Sequence, residues 1–210
     1  MKKIKIVGCG PGSPDYITPA AQAACAGADV LIGARRMLDM FTDVEAERVP
    51  VTADTAATLA AIESRCEMAN VVALVTGDPG VFSLSASVIK KFGRGACEVI
   101  PGISSVQLAF AKLGLDWADA RIISAHHSRP EDDFSGTDAP DKVAILSGKK
   151  ESRGWIADMI DTFQEGRVIF ACENLGLENE RIGRVDLAAL REGDFPSRTI
   201  IIAVKEELIT

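Results

Sequence analysis

Short apolar runs punctuate the chain, each followed by a glycine- or proline-bearing turn and then by a stretch with helical spacing. Residues 71–92 show this most clearly. Val71-Val72-Ala73-Leu74-Val75 is continuously apolar, the pattern of a strand covered on both faces, as in a parallel sheet. Leu84, Val88 and Phe92 then recur at intervals of four, one face of a helix. Between them, Thr76-Gly77-Asp78-Pro79-Gly80 stops the strand. Its glycines permit unusual dihedrals, and Asp78 is placed to hydrogen-bond nearby backbone amides. Such a unit sets its loop at the carboxyl edge of a sheet, where open α/β folds bind ligands. A tight turn with no ligand has the same pattern.

The same rhythm runs through the first half. Residues 4–8 form a short strand leading into Gly8-Cys9-Gly10-Pro11-Gly12-Ser13. Thr18 is placed to cap a helix that runs through Ala26, with Pro19 at its first position. Strands are expected at 28–32 and 96–100, and helices at 53–69 and over Val106 to Leu113, ended by Gly114. The alternation predicts a mainly parallel sheet. Residues 114–120, GLDWADA, read as a boundary between α/β domains over 1–115 and 119–210. In the second domain, strands are expected at 121–125, 142–146, 167–172 and 199–204. A helix is expected around Trp155 to Phe163, a short segment around 184–190, and a mobile polar loop over 126–141.

Composition narrows the class. Hydrophobic residues make up 47% of 210, ample for a core. A net charge of −7 without a basic stripe argues against nucleic-acid binding. No apolar run reaches transmembrane length, and Met-Lys-Lys leads straight into a strand rather than a signal peptide. The cysteines at 9, 25, 66, 97 and 172 are scattered, with no metal-ligand spacing. Reduced thiols in a cytoplasmic protein and no metal site are expected.

No Ser-His-Asp or Cys-His arrangement can be read from spacing. His126 and His127 are either loop-edge residues or contacts to a substrate. Lys149, Lys150 and Arg153 follow a strand end, where they either meet substrate carboxylates or form ordinary solvated surface. Glycine-rich strand ends without a nucleophile suggest a site that positions a reactive cofactor. The first βαβ invites a dinucleotide reading, but its pattern is GxGxG followed by Ser13, and Pro11 and Pro14 delay the helix. The second strand ends in Gly33-Ala34-Arg35-Arg36, with no acidic residue for a ribose. The two arginines keep an NADP-dependent reductase open as an alternative. A non-catalytic small-molecule-binding module is the third reading.

Taken together, VGCGPGSPDYIT (7–18), TGDPGVF (76–82) and IPGISS (100–105) resemble, in order and spacing, the tetrapyrrole methylase family. ENLG at 173–176, followed by Glu180-Arg181-Ile182, fits the family's carboxyl half. The resemblance implies two α/β domains with a cleft between them that binds S-adenosylmethionine. It also implies C-methylation of a (cobalt-)precorrin intermediate of cobalamin synthesis, at C-5 for the members that share the short length and a Ser-x-His at 124–126. Those members are expected to carry His-Gly-Arg there, whereas this chain has His126-His127-Ser128-Arg129. Carried over residue by residue, Pro11 lines the cofactor site. Gly77, Asp78 and Val81 hold the methionine and ribose portions, Ser104 and Ser105 touch the cofactor from the neighbouring loop, and Leu146 and Leu175 lie against the adenine. His126, Arg129, Lys149, Lys150 and Arg153 are then the residues expected to meet the acetate and propionate groups of a corrinoid substrate. A homodimer is implied as well. Some relatives carry a fused domain that methylates C-15 with decarboxylation; this length leaves no room for it, so a separate subunit is the expected partner. Neither nucleic acid nor a membrane is expected as a partner.

Overall fold

The computed structural model describes residues 3–126, 129, 134, 139–148 and 152–209. The chain divides into two compact units, Met1–Ser104 and Ser105–Thr210.

The first unit is built on strands β1 (Ile4–Gly8), β2 (Val30–Gly33), β3 (Glu47–Pro50), β4 (Val71–Val75) and β5 (Cys97–Ile100). They form one sheet in the order β3-β2-β4-β1-β5, and every neighbouring pair is parallel. The helices are α1 (Pro19–Ala26), α2 (Arg35–Leu38), α3 (Thr55–Glu63) and α4 (Ser85–Phe92). Strand side chains alternate between the two faces. Val7, Leu31, Val72 and Leu74 join Ala21 and Cys25 of α1 and Met37 of α2 on one face. Ile6, Ile32, Ala73 and Val75 join Ile62 of α3 and Val88 of α4 on the other. With helices over both faces, β4 is buried at every position, which explains its unbroken apolar sequence. The start of α1 also follows its sequence: Thr18 Oγ1 accepts from Ala21 N at 3.1 Å and Pro19 opens the helix.

Connectivity locates the functional edge. From β1 the chain passes β4 to reach β2, and from β4 it passes β1 in the opposite direction to reach β5. The adjacent carboxyl ends of β1 and β4 are therefore a topological switch point, where ligands bind in open α/β sheets.

The second unit comprises α5 (Ser105–Leu113), β6 (Arg121–Ser124), β7 (Lys142–Leu146), α6 (Ser152–Asp161), β8 (Arg167–Glu173), β9 (Arg181–Val185), α7 (Leu187–Glu192) and β10 (Thr199–Lys205). Its sheet, β6-β7-β10-β8-β9, is mixed: β6 and β7 are parallel, while β10 runs antiparallel to β7 and β8, and β9 antiparallel to β8. Ile145, Ile169 and Ile201 pack under Ile156 and Ile160 of α6 and Leu190 of α7. Because α5 packs on β10, the division falls before α5, one helix ahead of the 114–120 segment. Most of the polar stretch 126–141 lies outside the described residues. Among the described residues, no helix is long and apolar enough to cross a membrane.

Candidate active site

Three glycines bring the carboxyl ends of β1, β4 and β5 into backbone contact. A Cβ on Gly8 would lie 2.6 Å from Gly102 N and 2.7 Å from Gly77 O. A Cβ on Gly102 would lie 2.8 Å from both Gly8 C and Gly8 O, and would press still closer on Gly77 O. Only glycine fits at Gly8 and Gly102, because the atoms in the way are backbone. The loops after β1 and β4 then pair directly: Gly77 N donates to Gly10 O at 2.8 Å and Gly10 N to Gly77 O at 3.3 Å. Both residues have positive φ, 72° at Gly10 and 67° at Gly77.

Asp78 binds the third loop to this pair. Its Oδ1 accepts from Gly80 N at 2.7 Å and its Oδ2 from Gly102 N at 3.0 Å. The bonding to nearby amides expected from sequence is present, and it reaches across 24 residues as well as within the turn. Both oxygens accept hydrogen bonds from amides, so the carboxylate acts as a brace. The loop then closes on itself. Val81 N donates to Asp78 O at 3.1 Å, Ser83 Oγ to Pro79 O at 2.7 Å, and Ser85 Oγ also donates to Pro79 O. Phe82 has φ +43° and 62% exposure, a strained backbone that presents an aromatic ring to solvent beside the loop.

Of the residues expected to hold a cofactor, Gly77 and Asp78 are thus joined directly to the loops after β1 and β5. Pro11 is buried on the first loop, Val81 is half-buried on the second, and Ser104 is buried at the end of the third, just before Ser105 opens α5. Sequence reading had not identified Gly8, Gly10 and Gly102 as the contacts that fasten the loops, although each lies within a quoted motif.

The second unit gathers its own strand ends. The register of β6 against β7, and of β7 and β8 against β10, sets the carboxyl ends of β6, β7 and β8 on one edge. Leu146 is buried at the end of β7, and its carbonyl accepts from Ala125 N at 2.9 Å. Gly148 packs so tightly on the preceding loop that a Cβ there would lie 2.6 Å from His126 Cα. His126 is half-buried, and its N–H donates to Ser124 Oγ at 3.4 Å. Ser152, at the start of α6, accepts from Gly148 N at 3.2 Å. Beyond β8, Asn174 adopts φ +49°, and Leu175 is buried. Gly176 N donates to Glu180 Oε2 at 2.7 Å. The Lys112 ammonium, 2.7 Å from Glu180, together with that amide, holds the Glu180 carboxyl below its usual range.

One expected substrate contact is corrected. Arg153 is only 7% exposed, and its guanidinium donates to Gly193 O at 2.6 Å and to Phe195 O, stacking 5.9 Å from the Phe195 ring centroid. It fastens the loop between α7 and β10 instead of facing a ligand. Arg129 is exposed. Lys149, Lys150 and His127 lie outside the described residues.

Three buried thiols are held protonated at neutral pH. Burial pushes Cys9 up to about 12, with Cys25 adding to the rise and Arg36 opposing it. Burial does the same to Cys25 and to Cys172, each about 12. Among the described residues, no group of three or more His, Cys, Asp or Glu side chains gathers to hold a metal ion.

A family model for tetrapyrrole (corrin/porphyrin) methylases matches residues 3–191 of the chain. The chain is 31% identical over 200 residues to the cobalt-precorrin-7 C(5)-methyltransferase of Salmonella typhimurium, covering 95% of this chain and 98% of that protein. It is also 31% identical over 214 residues to the probable cobalt-precorrin-7 C(5)-methyltransferase of Methanocaldococcus jannaschii, covering 98% and 100%. Among solved structures, the uroporphyrin-III C-methyl transferase from Thermus thermophilus complexed with S-adenyl homocysteine superposes with a TM-score of 0.75. That likeness covers 96% of this chain and 92% of that one at 22% identity, and concerns the fold.

Proposed function

Because the chain belongs to the tetrapyrrole (corrin/porphyrin) methylase family, we propose that it transfers a methyl group from S-adenosylmethionine to C-5 of a cobalt-precorrin intermediate of cobalamin synthesis. The observation that carries this reading is the convergence of three glycine-bearing loops at the switch point of a parallel sheet, braced by Asp78. Near-full-length similarity to two cobalt-precorrin-7 C(5)-methyltransferases supports the substrate class and ring position. These relatives do not favour the reductase reading.

The chemistry of this edge fits the cofactor. Gly80 is exposed at this edge and packs so close to Asp78 that a Cβ on it would reach to 2.9 Å from Asp78 Oδ1. Val81 and the Phe82 ring add apolar surface. When bound, S-adenosylmethionine supplies a methyl group on a sulfonium, whose leaving group is already good. The chain's own residues then orient and enclose. Asp78 fixes the loop that receives the methionine and ribose portions, Pro11 lines the site, and Ser104 and Ser105 approach from the third loop. Leu146 and Leu175 provide buried apolar positions suited to the adenine, and His126 and Arg129 remain the candidates for the substrate. Alignment of this kind contributes up to roughly 7–11 kcal/mol in favourable cases, with no covalent step on the protein. The same reading extends to a cytoplasmic homodimer working beside a separate subunit that methylates C-15 with decarboxylation. The described cysteines, all free, are consistent with a reducing compartment.

Calorimetry with S-adenosylhomocysteine tests the cofactor, and mass and NMR analysis of the methylated product tests the position. Micromolar binding and a C-5 methyl group are expected. A folded sample that binds no S-adenosylhomocysteine overturns the reading.

A further inference from the structure

We propose that Phe82 is a substrate-specificity residue, its phenyl ring packing against the apolar face of the bound tetrapyrrole macrocycle. The proposal rests on the methyltransferase reading and adds a group that positions the acceptor. Phe82 lies between β4 and α4, just past Gly80 and Val81 of the loop that Asp78 braces. Its φ is +43°. Among the described residues, the other non-glycine positions with positive φ are Asp119 and Asn174, types that enter this region readily. A phenylalanine there is strained, and such strain persists only where the surroundings impose it. On one side, Val81 N donates to Asp78 O at 3.1 Å, and Asp78 is itself fixed by the amides of Gly80 and Gly102. On the other, Ser83 Oγ and Ser85 Oγ both donate to Pro79 O, and Ser85 N donates to Ser83 Oγ at 3.1 Å. The residues flanking Phe82 are thus tied back to the turn. The fold does not recover the cost through the side chain. The ring is 62% exposed, and among the described residues no cation or second ring stacks on it. Leu84 packs into the core and Val81 is half-buried, so the phenyl ring is the apolar group that this loop turns outward.

A phenyl ring presents a flat apolar face. The methionine and ribose portions of the cofactor are polar and call for hydrogen-bonding groups, which a phenyl ring lacks. The tetrapyrrole is a broad macrocycle with apolar faces and carboxylates on its rim. Methyl transfer needs the acceptor carbon about 3–3.5 Å from the donated methyl group, so the macrocycle has to lie against the loop that holds the cofactor. A ring turned outward from that loop meets the macrocycle there, excludes water from its face and limits how it can slide. This contact uses no charge, which suits a chain of net charge −7 with no long-range attraction for a polycarboxylate. Met68, 88% exposed between α3 and the amino end of β4, is a control for an exposed apolar side chain away from this edge.

The test compares wild type with Phe82→Ala, Phe82→Gly, Phe82→Leu, Phe82→Tyr and Met68→Ala. It reads steady-state methyl transfer, binding of the cobalt-precorrin substrate to the S-adenosylhomocysteine complex by visible absorbance, calorimetric affinity for S-adenosylhomocysteine alone, and melting temperature. Phe82→Ala is expected to raise the substrate Kd and KM about tenfold while the S-adenosylhomocysteine Kd stays within about twofold. Phe82→Tyr keeps the ring and should stay within about twofold of wild type; Phe82→Leu keeps only apolar bulk and should weaken substrate binding about threefold. Phe82→Gly is expected to bind substrate as weakly as Phe82→Ala yet to melt at or above wild type, because glycine accepts the positive φ without strain. Met68→Ala should change substrate binding by less than about twofold. An unchanged substrate Kd in Phe82→Ala overturns the assignment, and so does an equal effect of Met68→Ala. Lost S-adenosylhomocysteine affinity with substrate binding retained also overturns it, since the ring would then serve the adenine. A Phe82→Gly variant that melts well below wild type overturns it in favour of a structural role. Wild type that neither binds S-adenosylhomocysteine nor transfers a methyl group instead overturns the methyltransferase reading, and this role with it.

Discussion

In the first unit, the edge bearing the candidate site is closed by backbone against backbone: Gly8 and Gly102 meet each other and Gly77 O with no room for a Cβ on either. In the second unit, several strand ends of the mixed sheet are fastened by side chains. Ser152 takes the Gly148 amide, Glu180 takes the Gly176 amide and the Lys112 ammonium, and Arg153 takes the carbonyls of Gly193 and Phe195. The two solutions differ in how they tolerate change. Backbone closure fails when any atom is added, because neighbouring strands cannot move apart without losing their ladder. Side-chain closure fails when a charge or a hydrogen bond is removed, and it responds to pH.

The largest effect that separates the two is expected from Gly102→Ala. The new Cβ meets Gly77 O and the Gly8 backbone, atoms that cannot rotate away. The change is expected to cost about 3 kcal/mol in chemical denaturation and to remove measurable S-adenosylhomocysteine binding. A variant as stable as wild type, with its affinity intact, would mean that the edge has slack. A smaller loss is expected from Asp78→Ala, which leaves the strands in contact but frees the amides of Gly80 and Gly102. About 1–2 kcal/mol of stability should go, with S-adenosylhomocysteine affinity falling roughly tenfold. Unchanged affinity would reduce Asp78 to a turn residue. The smallest effect, in the second unit, is the one that depends on pH. Glu180→Gln is expected to lower stability by about 1 kcal/mol at neutral pH. The Glu180 carboxyl titrates below its usual 4.5 in the fold, so its contribution is complete above that value and disappears as pH falls through the depressed one. The melting temperatures of the variant and wild type should therefore converge in acid, and a gap that persists there would assign the effect to packing.

The same contrast explains what could be read from the residues alone. Backbone closure leaves a mark in sequence, because glycine is obligatory where no Cβ fits; the three loops were legible for that reason. Thr18 with Pro19 marked the start of α1, and the apolar run of β4 marked a strand covered on both faces. β3 left no such mark. It is an edge strand, its residues are exposed apart from a half-buried Val49, and no alternation betrays it. β9 is another edge strand of mixed exposure. The direction of β10 was equally hidden, since a strand buried along nearly its whole length reads alike whether its neighbours run with it or against it. Arg153 illustrates the limit for side chains. A cation after a strand end looks the same in sequence whether it faces a ligand or turns inward onto two carbonyls 40 and 42 residues away.

The contact of Gly8, Gly77 and Gly102 also bears on how such a site can change by descent. A Cβ on Gly8 or on Gly102 would run into the other's backbone and into Gly77 O, so these two positions share one small volume. Their mutational effects are therefore strongly epistatic: once one has been replaced and the strands have shifted to admit it, a second replacement meets a backbone already displaced and costs less than it would alone. A single replacement of Gly8 or of Gly102 leads downhill in stability. Diversification of the edge is thereby pushed outward, to positions such as Val81, Phe82 and Arg36, where side chains can vary while the three strand ends remain where they are.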